Sequence, residues 1–175
     1  MEITEQLDSN WLAWAAGFID GEGSIQIARS RKPKPEAVAK KRLWNPQIYL
    51  YMRANQVDPR PLERLRDMFG GSLMLRQPRK TGAIKGQQPQ WVWTVSGPMA
   101  YAAVKLMRPW FMVKGERADI AMSFHELCYA SPGANTRCLR PNGSPGRLTD
   151  EQVALRQDFY LQMQALQMKG PTVIQ

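Results

Sequence analysis

Glu22 is the residue whose type and surroundings could most readily do chemistry. It stands between glycines in the stretch Ala15-Ala16-Gly17-Phe18-Ile19-Asp20-Gly21-Glu22-Gly23-Ser24-Ile25. A carboxylate there is either a solvated helix-end charge in a glycine-rich turn or a ligand for a hard cation. Two such carboxylates brought together repel unless a cation lies between them. Mg²⁺ suits that place, because it takes oxygen ligands from few carboxylates and completes its shell with water and phosphate. An ion so held can activate a water and stabilise the leaving 3′ oxygen of a phosphodiester. Just upstream, Ala13, Ala16 and Gly17 share one helical face at spacing i, i+3, i+4. Small residues at that spacing let a second helix approach closely, from within the same core or from a second copy of the chain.

Other chemistries lack their residues. The chain has one histidine, His125, far from Glu22 and expected to be a packed or surface helix residue. That argues against zinc hydrolases with several His ligands and against Ser-His-Asp catalysis. The glycines around Glu22 lack the GxGxxG pattern and precede a strand, so they are no phosphate-binding fingerprint. Cys128 and Cys138 sit ten apart without a CxxC partner and read as free thiols. A reducing intracellular compartment is expected, whether an organelle or a bacterial cytoplasm. The longest apolar run, Trp11 to Ile19, is too short to span a bilayer and lacks a positive leader.

The formal net charge is +9 and the pI about 9.9. Residues 24–96 hold 15 Lys/Arg against 4 Asp/Glu, so this block carries the whole excess and the remainder has a net of −2. A continuous basic block is a solvated surface or a surface for a polyanion, and its placement on strands favours the polyanion.

The elements that must position these groups follow from periodicity. Asp8 or Ser9 can cap a first helix with body Trp11 to Ile19, stopped by Gly21 and Gly23. Ser24 to Arg31 alternates as a strand, with Ile25 and Ile27 on one face. The proline-broken stretch Lys32 to Asn45 reads as a hairpin loop. In Gln47 to Ala54, Ile48, Leu50, Met52 and Ala54 point one way, and Gln47, Tyr49, Tyr51 and Arg53 the other. Asp58-Pro59 starts a helix with inner stripe Leu62, Leu65 and Phe69, ended by Gly70-Gly71. A second hairpin joins Ser72–Gln77 to Gln90–Ser96, with Leu73, Leu75, Trp91, Trp93 and Val95 inward. Ser72, Met74, Arg76, Gln90, Val92, Thr94 and Ser96 face outward. Pro98 opens a helix to about Met107, broken at Arg108-Pro109 and resumed over Lys114 to Tyr129. Ser131 to Arg147 reads as a loop. Thr149 and Gln152 form a capping box for a last helix to about Met168. The order αββαββα with additional C-terminal helices predicts an α+β fold, with helices on one face of an antiparallel sheet and a basic, open face on the other. At 175 residues one domain is expected, its core at about 8–130 and a C-terminal loop and helix over about 131–170.

The stretch 15–25 resembles the LAGLIDADG motif, with the pattern A-G-hydrophobic-hydrophobic-D-G-[DE]-G followed by a strand. Ala15 replaces the first Leu, and Gly21 with Glu22 replaces Ala-Asp. Over roughly residues 8–130 the chain looks like the single-motif, homodimeric branch of the LAGLIDADG homing endonucleases. The resemblance implies metal-dependent, site-specific cleavage of both strands of a long, near-palindromic DNA site, leaving staggered ends. It implies a homodimer whose motif helices pair through Ala13, Ala16, Gly17 and Asp20, bringing two Glu22 carboxylates together. Mg²⁺ is the expected cofactor; Mn²⁺ or Ca²⁺ could occupy the site, with Ca²⁺ not expected to support cleavage. Double-stranded DNA is the expected partner, with no membrane and no small-molecule substrate. The same fold could instead serve an RNA maturase or a non-cleaving DNA-binding regulator, and a basic ribosome-associated protein is a third class.

By position, the resemblance implies that Gln56 orders water and that Arg60 and Lys114 stabilise charge near the scissile phosphate. Asp20 is expected to be structural, accepting hydrogen bonds from the turn or the partner helix. The sheet's polar face would then saddle the major groove. Outward candidates there are Gln26, Ser30, Lys32, Gln47, Tyr49, Tyr51, Arg53, Arg76 and Thr94, with Arg53 and Arg76 preferred as guanine readers. Loop cations Lys34, Lys40, Lys41, Arg42, Arg79, Lys80 and Lys85 are expected to meet phosphates.

Overall fold

The computed structural model describes residues 8–30, 47–78, 88–130, 137–139 and 145–168. Helix α1 (Ser9–Glu22) is capped by Asp8, whose carboxylate accepts from Asn10 N at 2.9 Å. Of the two glycines expected to stop it, Gly21 lies inside the helix and Gly23 caps it, so α1 runs through Glu22 and passes without a linker into β1 (Gly23–Arg29). Gly23 allows this junction, since a Cβ there would lie 2.7 Å from Ile19 Cδ1 and 3.0 Å from Ile19 Cα. A glycine in a helix interior is permitted, so the close approach at Gly23 decides the end of the helix rather than Gly21.

Strand β2 (Ile48–Gln56) pairs antiparallel with β1, Gly23 opposite Ala54 and Arg29 opposite Ile48. Helix α2 (Arg60–Phe69) follows Pro59, with the Asp58 carboxylate accepting from Arg60 N at 3.0 Å. It ends at Gly70 and Gly71, both at positive φ. A Cβ on Gly71 would sit 2.5 Å from Thr94 O, so the turn into β3 (Ser72–Arg76) needs glycine on both counts. Strand β4 (Gln90–Ser96) lies between β2 and β3, giving the sheet order β1-β2-β4-β3. Helix α3 (Gly97–Met107), a 3₁₀ turn at Arg108–Trp110 and α4 (Gly115–His125) follow, and α4 widens into a π turn at Glu126–Ala130. This matches the antiparallel sheet with one helical face that the αββαββα order predicts.

One layer of apolar side chains joins sheet to helices. Ile25, Ile27, Leu50, Met52, Trp93 and Val95 from the sheet are all buried against Ala15, Ile19, Leu62, Leu65, Val104 and Phe124 from the helices. Trp93 satisfies its indole N–H on Gly70 O at 2.8 Å, which ties the end of α2 to the sheet.

Three assignments need correction. Ser131 to Arg147 is not a loop throughout: β5 (Arg137–Leu139) and β6 (Pro145–Leu148) pair as a small antiparallel hairpin. Pro145 occupies the first position of β6, which suits a residue without a backbone N–H. Val92, assigned to the wet face, is buried because β4 is central and its outer-face neighbours Asn55 and Met74 flank it. Leu75, assigned inward, is 46% exposed on the edge strand β3. The last helix, α5 (Asp150–Met168), begins after Thr149, whose hydroxyl accepts from Gln152 N at 3.4 Å. It contributes Phe159 and Met163 to the core.

Candidate active site and nucleic-acid interface

The end of α1 is held by its own acidic residue. The Asp20 carboxylate accepts three backbone N–H groups: Met112 N at 2.8 Å, Val113 N at 3.1 Å and Lys114 N at 2.9 Å. The Lys114 ammonium donates back to the Asp20 carbonyl oxygen. A segment more than ninety residues away is thereby fixed beside the motif, although no sequence periodicity links the two. Lys114 is buried, and burial pushes its pKa down; the carboxylates of Asp20 and Glu22 oppose that shift and Arg117 adds to it. The structure therefore brings Lys114 and Glu22 into one electrostatic neighbourhood, with Glu22 exposed at the helix–strand junction.

Gln56 closes β2, and the pairing of Gly23 with Ala54 places it at the same end of the sheet as Glu22. Arg60 is not drawn into this group. Its guanidinium bonds Asp58, with Nε at 3.0 and 2.9 Å from the two carboxylate oxygens, and Nη2 adds a further bond. The pair is exposed, and the guanidinium's hydrogen bonds hold the Asp58 carboxyl down at about 2.

The small-residue face of α1 differs from the sequence assignment in two members. Ala16 is buried in the chain's own core, and the Asp20 carboxylate accepts from the Met112–Lys114 segment of the same chain. The spacing alone does not show which side of the helix the core covers. What remains open is a stripe of half-buried Ala13 and exposed Gly17 and Gly21, with no atom of the described residues within 4 Å of a Cβ at either glycine. Beside it Trp14 stacks on Phe18 at 5.6 Å, and Arg64 lies 3.9 Å over the Trp11 ring. Met112 and Val113, 93% and 77% exposed, are held next to the same helix end by Asp20. Two apolar residues just before Lys114 were the signal that the sequence offered for this pair.

On the sheet's outer face the register sets out rows. Ser24, Arg53, Thr94 and Ser72 form one; Gln26, Tyr51 and Ser96 the next; Ala28 and Tyr49 a third. Arg76 is exposed on β3. Ser30 and Gln47 are mutually engaged where the two strands part, Ser30 N donating to Gln47 O at 2.8 Å and Gln47 N to Ser30 Oγ at 2.9 Å. The Arg53 Nε is buried without a hydrogen-bond partner, and its guanidinium carbon lies 5.9 Å from the Tyr51 ring centroid. Tyr51 donates its hydroxyl to Gln26 Oε1. Lys32, Lys34, Lys40, Lys41, Arg42, Arg79, Lys80 and Lys85 lie outside the described residues. His125 stacks on Tyr101 at 4.1 Å and faces Tyr129 at 5.8 Å, away from Glu22, and Cys128 is a buried free thiol.

No protein-family model matches the chain, and no curated protein matches it. Solved structures do. The archaeal intron-encoded homing endonuclease I-Vdi141I, complexed with DNA, superposes with a TM-score of 0.62 at 12% identity, covering 94% of this chain and 88% of that one. The homing endonuclease I-CvuI, in complex with DNA in the presence of Mg, gives 0.60 at 15% identity, covering 93% and 85%. The I-SmaMI LAGLIDADG homing endonuclease bound to cleaved DNA gives 0.55 at 14% identity, covering 93% of this chain but 46% of that one. The chain has the fold of the LAGLIDADG homing endonucleases.

Proposed function

We propose that two copies of this chain form a site-specific DNA endonuclease that makes staggered, metal-dependent double-strand breaks in a long, near-palindromic duplex. One observation carries the reading: Glu22, the motif's last carboxylate, stands exposed beside pinned Lys114, at the end of a helix whose Gly17 and Gly21 face is open. Cutting two strands needs two centres, and this chain supplies one. Pairing the open stripe across a two-fold axis duplicates the centre and draws the two Glu22 carboxylates together. The exposed Met112 and Val113 extend the same apolar margin. The match to just under half of I-SmaMI supports this arrangement, since two copies of this chain approach the length of that protein.

The donor set fits a hard cation only in the dimer. Among the described residues no three His, Cys, Asp or Glu side chains cluster, and the Asp20 carboxylate is fully engaged by backbone N–H groups. Glu22 from each copy, with phosphate oxygens, is the set that remains, and it suits Mg²⁺ or Mn²⁺; Ca²⁺ would occupy the place without supporting cleavage. When bound, such an ion supplies Lewis acidity and a water nucleophile at neutral pH. Gln56, at the same sheet end, orders water with its amide. Lys114, fixed by the Asp20 carbonyl, presents positive charge without moving, which is how preorganised groups stabilise a developing oxyanion. Arg60 contributes only once it leaves Asp58. The outer sheet face lies in the major groove, with Arg53 and Arg76 directed at guanines and the loop cations at phosphates.

The test is incubation of purified protein with a randomised duplex library, with and without Mg²⁺. Cut products should accumulate on one near-palindromic sequence only with metal. Glu22→Gln should retain that sequence and leave it uncut. Metal-independent cutting, or cutting by Glu22→Gln at the wild-type rate, removes the proposed centre; retention without any cutting by wild type identifies a binding protein instead.

A further inference from the structure

Gln26 and Tyr51 are direct cross-strand partners on the outer face, and the Tyr51 hydroxyl donates to Gln26 Oε1. Burial raises the pKa of Tyr51 against the lowering effect of Arg53, so near neutral pH the phenol is protonated and able to donate. The ring is set in place by its neighbours, with Tyr49 at 5.9 Å between centroids and the Arg53 guanidinium at 5.9 Å. Both Gln26 and Tyr51 are half-buried, which limits the rotamers open to the amide.

A free glutamine in the major groove reads adenine with two bonds, its oxygen accepting from N6 and its nitrogen donating to N7. Here the oxygen already accepts from Tyr51. That bond occupies one of the oxygen's two lone pairs and weakens it as an acceptor for a second donor, while polarising the amide so that its N–H groups donate more strongly. We propose that Tyr51 converts Gln26 from an adenine reader into a donor-only reader that selects the keto bases, guanine through O6 and N7 or thymine through O4. Tyr51 is a positioning residue in this scheme; it need not touch the DNA. The inference rests on the DNA-binding reading above and adds to it the base class at one position of each half-site.

The experiment is selection from a randomised duplex library by wild type, Gln26→Ala, Tyr51→Phe and the double variant. Gln26→Ala should erase preference at one position per half-site, which identifies the position Gln26 reads. Wild type should hold guanine or thymine there. Tyr51→Phe should raise adenine at that position by roughly tenfold relative to the keto base, and the double variant should show no preference. Unchanged preferences at all other positions show that Tyr51→Phe remains folded and docked. The proposal is overturned by adenine at that position in wild type, by an unaltered profile in Tyr51→Phe, or by an unaltered profile in Gln26→Ala. In each of those cases sequence-specific binding itself still stands. If wild type enriches no sequence at all, the DNA-binding reading fails and takes this inference with it.

Discussion

At the end of α1 the Asp20 carboxylate accepts three N–H groups from Met112–Lys114, and the Lys114 ammonium answers on the Asp20 carbonyl. Across the sheet, on the outer face, Arg53 keeps a buried Nε with no partner and Arg76 stands exposed. The two regions handle polar groups in opposite ways, which is what the proposed function would ask of them. A constellation that must act without rearranging has its hydrogen bonds satisfied internally. A surface that recognises something leaves donors for its ligand to satisfy, at a cost in stability while it stands alone.

Breaking the closed region should have the largest effect on folding. Asp20→Ala leaves three backbone donors and the Lys114 loop without their acceptor, and should lower unfolding free energy by about 2–4 kcal/mol in urea denaturation. A loss below about 0.5 kcal/mol would mean that solvent replaces the carboxylate and the loop is not held by it. Gly17→Leu addresses the open stripe. Since no described residue lies within 4 Å of a Cβ there, the protomer should keep or slightly gain stability, while sedimentation shows association weakened by roughly tenfold or more. Undiminished dimerisation would place the seam elsewhere.

The open face gives the converse result. Arg53→Ala removes a buried donor that already lacks a partner, so folding stability should change little, whereas affinity for the selected duplex should fall about tenfold. Parallel losses in both measurements would make Arg53 a structural residue. The smallest effect belongs to the exposed Asp58–Arg60 pair. Asp58 has its folded pKa depressed to about 2 from 3.8, so its contribution is present above about pH 4 and disappears as pH falls through about 2. Asp58→Asn should flatten the acid limb of the stability profile slightly over that window and leave the neutral range unchanged; a shift at pH 7 would contradict this.

Much of this was legible in the chain. The alternation of Ile48, Leu50, Met52 and Ala54 against Tyr49, Tyr51 and Arg53 requires a strand with one wet face, and all four of the first set are buried. The motif around Glu22 and the basic block over residues 24–96 are local patterns that need no partner to be seen. Where local signals misled, packing had overruled them. Gly21 and Gly23 both looked like helix stops, but only Gly23, packed close against Ile19, sets the junction. Ala16 looked like part of the open seam, but it is buried in the chain's own core.

By itself the sequence determined element types, the two faces of the sheet and the placement of a lone carboxylate at the end of an apolar helix, because each follows from the spacing of side chains along one element. Only the tertiary structure decided that Lys114 rests beside Glu22, that Asp20 serves a distant loop, that Asp58 occupies Arg60 and that Tyr51 bonds Gln26. Three of those four depend on how one element meets another or on register across strands, and the fourth on the rotamers chosen beside a helix start. Periodicity along a single chain carries no information about either.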